Sequence, residues 1–178
     1  MKYKRQLIPG ASYFFTVVTH NRRPIFNNEQ SIITLRKAFR TVRAKHLFEI
    51  NAIVILPNHL HCIWTLPEKD RDYAKRWRLI KTWFTKNCDA ALRVEQDASR
   101  KARNEQAVWQ HRYWEHVIRD QKDLTNHIAY IHYNPVKHGY VKTVIEWRYS
   151  SFHRYVNKGW LDKNWGTGEI DFADAGSE

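Results

Sequence analysis

Residues 11 to 19 read ASYFFTVVT, an aromatic and β-branched run that follows the Pro9-Gly10 turn signal and closes at HNRRP; the pattern predicts a first strand. The period then changes. Between residues 28 and 48, Ile32, Leu35, Phe39 and Val42 recur at helical spacing with Arg and Lys between them and no Pro or Gly inside, which predicts a helix. FEINAIVIL (48–56) and HLHCIWTL (59–66) are both strand-like. They are separated by Pro57-Asn58, a break suited to a tight antiparallel connection. After Pro67, Tyr73, Trp77, Ile80 and Phe84 share one face of a second helix rich in Lys and Arg, with Asp70 or Asp72 placed to cap it. The polar stretch RVEQDASRKARNEQ (93–106) has no hydrophobic period and reads as a flexible loop. VWQHRYWEHVI (108–118) reads as a fourth strand, and DLTNHIAYIHYN (123–134) as a third helix that Pro135 and Gly139 help to end. WRYSSFHRYVNKGWL then supplies a short helix or an irregular cover. The order βαββαβ predicts an α+β, ferredoxin-like fold: one antiparallel sheet with helices on one face, plus an extra C-terminal helix. Residues 1–160 are expected to form a single domain and 161–178 a tail.

Charge sharpens this picture. The 178 residues carry 30 Lys plus Arg against 18 Asp plus Glu, a net +12. The tail holds five acids (Asp162, Glu169, Asp171, Asp174, Glu178) and Lys163, so its net −4 leaves +16 on residues 1–160. The body is therefore suited to a polyanion, and the acidic tail could lie over a basic cleft. Two cysteines are too few for a disulfide framework, and MKYKRQLIPG has no apolar core of a signal peptide. No apolar run is long enough to span a bilayer. A reducing cytoplasm is the expected compartment, with no membrane partner.

Three constellations could carry chemistry. His59-Leu60-His61 places two imidazoles on one face of a strand, where they could share a divalent ion or could equally be unligated histidines. On the third helix, Leu124, Ile128 and Ile131 define the expected buried stripe, with His127, Tyr130 and Asn134 together on its flank and Tyr133 nearly opposite the core. Tyr130 reads either as a reactive phenol or as an aromatic at the edge of the core. Asn134 precedes Pro135, so the helix is expected to fray there. The third constellation interleaves cations with aromatics: Arg22, Arg23, Lys75, Arg76, Arg78, Lys81, Lys86, Arg148 and Arg154, with His153. These would meet phosphates, or merely solvate a surface whose Trp77 and Trp83 fill the core.

Together, PNHLHCIWTLPE (57–68), VWQHRYWEHVIRD (108–120) and YIHYNPVKHGYV (130–141) resemble the IS200/IS605-like single-tyrosine HUH transposases, and within them the REP-associated tyrosine transposase branch. The resemblance covers most of residues 3–160. It rests on His-hydrophobic-His on a strand, then Tyr-x-x-x-Asn ahead of Pro-Val-Lys-His-Gly. It implies that His59 and His61 are metal ligands, Asn134 the third protein ligand, and Tyr130 the nucleophile, carried by the extra helix. Insertion-sequence relatives commonly have Gln where Asn134 stands, whereas the REP-associated branch shows Asn. The implied activity is a metal-dependent single-stranded DNA endonuclease and strand transferase, using Mg²⁺ or Mn²⁺ and a 5′-phosphotyrosine intermediate. A phenol of pKa about 10 is a weak nucleophile at neutral pH, and a cation on the scissile phosphate makes the ester a better electrophile. The implied substrate is a REP-type DNA hairpin with a GTAG-like tetranucleotide at its foot. The resemblance further implies a bacterial cytoplasmic protein, nucleoid-associated when bound to DNA. It favours a monomer with Tyr130 acting in cis over a dimer that exchanges the tyrosine helix. Arg22, Arg23 and the basic face of the second helix are the candidates for holding phosphates.

Three other readings compete. A domesticated hairpin-binding protein would have no physical reason to keep all four of His59, His61, Tyr130 and Asn134. A ferredoxin-like RNA-binding module would read single-stranded bases with aromatics on an open sheet face. A zinc hydrolase ranks last, because Glu115 and His116 belong to another strand.

Overall fold

The computed structural model describes residues 7–94, 98–102, 106–168, 170 and 172. Its elements run β1 (Ser12–Val18), α1 (Glu29–Lys45), β2 (Glu49–Ile55), β3 (His59–Thr65), α2 (Tyr73–Asn87), the short α3 (Ala98–Ala102), β4 (Trp114–Val117), α4 (Gln121–Lys137) and α5 (Phe152–Asn157). The four strands form one antiparallel sheet in the order β2-β3-β1-β4, the ferredoxin-like arrangement.

Alternation along the central strands sorts their side chains to two faces. Tyr13, Phe15 and Val17 of β1 and Leu60, Cys62 and Trp64 of β3 pack against α1 and α2. Trp64 stacks on Trp77 of α2 with centroids 4.2 Å apart. Each fully buried large apolar side chain contributes about 1.5–3 kcal/mol, so this face forms the principal core. Asn28 and Asp72 cap α1 and α2, their side chains accepting from the Ser31 and Lys75 N–H groups. The opposite face carries Phe14, Ala52, Val54 and Ile63, and α4 lies on it through Tyr130 and Ile131. The sheet is thus covered on both sides. Among the described residues, neither face of the sheet is left open for reading RNA, although Trp114 of β4 stays exposed at its edge.

Three expectations are corrected. The fourth strand is only Trp114–Val117. Ala107, Val108 and Trp109 are buried consecutively, which breaks the two-residue period, and Trp109 turns into the α1/α2 core against Phe26 and Phe84. Next, α4 does not fray at Asn134 but continues through Pro135 to Lys137. Proline's missing N–H costs one hydrogen bond in the last turn, and the chain turns out at Gly139 (φ +70°), whose N–H reaches the Val136 carbonyl. Lastly, the described part of the 93–106 stretch is structured: Val94 bridges Ala107, and α3 buries Arg100, which donates to the Trp109 carbonyl and to His20 Nδ1. Residues 95–97 and 103–105 lie outside the described residues. No helix among the described residues is long and apolar enough to cross a membrane.

The far side of α4 is tied down by His132. Its Nε2 lies 2.9 Å from Ser151 Oγ, which also accepts from the Ile53 N–H of β2. Burial, with the charges of Arg154 and His153 nearby, pushes the His132 pKa down to about 3. The unfolded chain binds this proton below about pH 6.5, so the folded state is fully favoured above that value and loses stability as pH falls toward 3. Urea unfolding should show stability declining between about pH 6.5 and 4. His132→Gln should flatten that decline, and an unaltered pH slope in the variant would contradict this assignment.

Candidate active site

β3 sets the first half of the site. His59 and His61 are buried on the α4 face, opposite Val18 and Thr16 of β1, while Leu60 points to the principal core. His61 Nδ1 is 2.9 Å from Thr16 Oγ1, and His59 Nδ1 is 2.6 Å from Asn58 Oδ1. Each ring is oriented through Nδ1, so Nε2 is the nitrogen through which a ligand bond would form. The two rings are 4.9 Å apart and nearly perpendicular.

α4 sets the second half, and its inward stripe is polar. Asp123, His127, Tyr130 and Asn134 are all buried, at i, i+4, i+7 and i+11. The apolar residues expected inside divide: Ile131 is buried, while Leu124 and Ile128 are only partly so. Tyr133, expected opposite the core, is half-buried against Phe172. The Tyr130 ring lies 5.3 Å from that of His61. Asn134 is fully buried, and its Oδ1 and Nδ2 have no hydrogen-bond partner among the described residues. Lys137 donates to Tyr130 Oη at 3.2 Å and lies 4.7 Å from the ring centroid. Sequence reasoning misses this residue, because ending the helix at Pro135 hides the i, i+7 pairing that the continuing helix creates.

Polar side chains also fasten the first turns of α4 to β4. His116 Nε2 lies 2.9 Å from Asp123 Oδ2, and His127 Nδ1 2.9 Å from Asp123 Oδ1. Burial raises the Asp123 pKa, but the Arg119 N–H, the His116 ring and the Arg119 guanidinium outweigh it and hold the carboxyl well below the usual range. Burial pushes the His127 pKa down, against the hydrogen bond and charge of Asp123 that raise it. Phe14 fills the space between this group and the site, 4.8 Å from His127, 5.5 Å from His61 and 6.0 Å from Tyr130. His116 therefore serves the clamp on α4, whereas Glu115 faces the other side of the sheet, accepting from Tyr73 Oη at 3.4 Å.

Residues 8–134 match the family described as Transposase IS200 like, a span that includes both histidines, Tyr130 and Asn134. The chain belongs to the IS200-like transposases. It is 44% identical over 172 residues to the REP-associated tyrosine transposase of Escherichia coli (strain K12), covering 97% of this chain and 94% of that one. A relative from Haemophilus influenzae is 43% identical over 164 residues, 92% of each chain. A solved REP-associated tyrosine transposase bound to a REP hairpin superposes with a TM-score of 0.81 at 42% identity, covering 100% of this chain and 98% of that one.

The basic surface of this IS200-like transposase divides by what each cation touches. A groove of about 820 Å³ runs between α2 and the segment before β4, lined by Arg78, Lys81, Lys86, Arg93 and Arg112. A smaller cleft of about 320 Å³ opens at His59, beside Thr16, Arg22, Arg112 and Trp114. Gln110, Arg112 and Tyr113 line both. Lys75 is exposed at the start of α2. Arg76 is a correction: it is buried, and its guanidinium is engaged by Asp70 and by the Asp72, His46 and Leu47 carbonyls. Arg23 donates to the Leu92 carbonyl at 2.9 Å, Arg148 pairs with Glu29 at 3.0 Å, and Arg154 donates to the Ile50 and Asn51 carbonyls. Arg93 and Arg112 join the groove with no signal in the sequence to mark them, since isolated basic residues around an interrupted strand leave no period.

Asp123→Ala should destabilise the fold by about 1–3 kcal/mol, the cost of stranding buried hydrogen-bonded partners. Thermal or urea unfolding measures it, and a loss below about 0.5 kcal/mol would show that the clamp on α4 contributes little.

Proposed function

We propose that this IS200-like transposase is a divalent-metal-dependent endonuclease and strand transferase for single-stranded DNA beside REP-type hairpins, acting through a 5′-phosphotyrosine on Tyr130. The observation that carries the reading is the approach of Tyr130 to His61, on a helix whose Asn134 buries two polar atoms with no hydrogen-bond partner among the described residues. Burying an amide without partners is costly, and a ligand for Asn134 would recover that cost. His59, His61 and Asn134 offer two nitrogens and an oxygen, a donor set that suits Mg²⁺ or Mn²⁺ when phosphate and water oxygens complete it. A cation held there would neutralise charge on the scissile phosphate and orient it for in-line attack.

The chain's own residues account for the remaining steps. Tyr130 Oη gives up its proton to solvent and bonds to phosphorus as the P–O3′ bond breaks, and the leaving 3′-oxygen takes a proton from solvent to become a 3′-hydroxyl. The Lys137 ammonium sits where the phenolate charge would form. The phosphotyrosine retains the ester's energy, so a second 3′-hydroxyl can reverse the step without ATP. The relative solved with a REP hairpin supports a DNA hairpin as the partner. The groove bearing Arg78, Lys81 and Lys86 supplies the positive surface for its backbone.

Incubation with a labelled single-stranded hairpin carrying flanking tails should give a covalent adduct that requires Mg²⁺ or Mn²⁺ and vanishes in Tyr130→Phe. Lys137→Met should slow adduct formation about 10- to 100-fold, the worth of a charge-assisted hydrogen bond, and move the alkaline limb of the rate profile upward. Tight metal-independent hairpin binding with no adduct would instead identify a binding module.

Removing Arg78 and Lys86 together should weaken hairpin binding across all sequences and lower the salt slope by about 0.7–0.9 for each phosphate that the variant no longer neutralises. A slope equal to that of the wild type would place the DNA elsewhere.

A further inference from the structure

Trp114 is a large aromatic residue left 37% exposed on the chemistry-bearing face of the sheet. Its position in the register is specific. Thr16 of β1 pairs with His61 on one side and with Trp114 on the other, so Trp114 and the histidines point to the same face on flanking strands. Adjacent strands lie about 4.8 Å apart, which places the two backbones on the order of 10 Å from each other. The indole lines the about 320 Å³ cleft that opens at His59, and Arg22 and Arg112 line the same cleft.

Packing holds the ring without covering it. Trp114 lies parallel to His116, with centroids 5.9 Å apart and planes 5° apart, and meets Phe14 edge-on at 5.7 Å. His116 is itself anchored to Asp123. The chain that brings Arg22 to the cleft is held in an unusual shape: Asn21 and Arg22 are consecutive residues with φ of 52° and 50°, a region that disfavours most side chains, and Arg22 lines the same cleft as Trp114. An immobilised aromatic plane, two cations and an opening toward the histidine pair match the requirements of an unpaired nucleotide: a stacking surface for the base and positive charge for its phosphates.

Building on the functional reading above, we infer that Trp114 is a stacking platform for an unpaired nucleobase flanking the scissile phosphate, and that Arg22 and Arg112 hold the backbone of that nucleotide. Trp114 thereby positions the substrate relative to Tyr130 without itself touching the reacting atoms. Stacking on an aromatic tolerates every base, so the subsite fixes the position of the strand more than its sequence.

The test uses the full chain and a fluorescein-labelled single-stranded DNA hairpin with both flanks, plus a series in which each flank nucleotide in turn is abasic. Affinity is read by anisotropy and adduct formation by denaturing gel. In the wild type, one abasic position should weaken binding roughly 5- to 150-fold. Trp114→Ala should weaken binding of intact DNA by a similar factor and become indifferent to that abasic position, while keeping the penalties at the others. Trp114→Phe, which retains an aromatic plane against Phe14 and His116, should recover most of the affinity and control for folding. Unchanged affinity of Trp114→Ala, or a full set of abasic penalties persisting in it, overturns the stacking platform. Coupling without adduct would overturn the endonuclease reading alone, and adduct without coupling would overturn the platform alone.

Discussion

A helix that turns a polar stripe toward a sheet must satisfy that stripe or bear its desolvation cost, and the arrangement of the whole α4 face follows from this. An unsatisfied buried group costs about 1–3 kcal/mol. At the N-terminal end the cost is offset: Asp123 is held by Arg119 and His116, and His127 by Asp123. Midway, Tyr130 has Lys137. At Asn134, the offset ends. Satisfaction thus declines along this stripe from Asp123 to Asn134. The rest of the fold supplies the stability that tolerates it, through the aromatic core of α1 and α2 on the other side of the sheet.

The two faces consequently have separate tasks. One is packed with Phe, Tyr and Trp side chains around Trp64 and Trp77. The other is thinly apolar, with Phe14 as the aromatic that touches both the clamp and the site. β1 serves both, because Tyr13, Phe15 and Val17 face the core while Phe14 and Thr16 support the histidine side.

Much of this is legible in periodicity. The strand-like runs around His59 and His61 and the helical spacing around Leu35 and Trp77 are clear, and there the boundaries agree with the structure to within a few residues. The tetrad of His59, His61, Tyr130 and Asn134 is visible as a motif. What stays hidden depends on tertiary context. A hydrophobic criterion chooses Leu124 and Ile128 for the buried stripe, whereas partners elsewhere in the fold make Asp123 and His127 cheaper to bury. A local rule ends the helix at Pro135, whereas the last turn tolerates one missing N–H and so brings Lys137 round to Tyr130. Composition counts Arg76 among surface cations, although the carbonyls that end α1 and begin α2 enclose it.

Tyr130, the histidine pair and Asn134 all come from one chain, with the Tyr130 ring 5.3 Å from that of His61 in the same molecule. Were the proposed chemistry to run at this site as it stands in a single chain, two polypeptides, each crippled at a different one of these positions, could not lend each other the missing group. In a cell holding both a sound and a damaged gene copy, the damaged product would then leave its sound neighbour intact, and loss of function would behave as recessive.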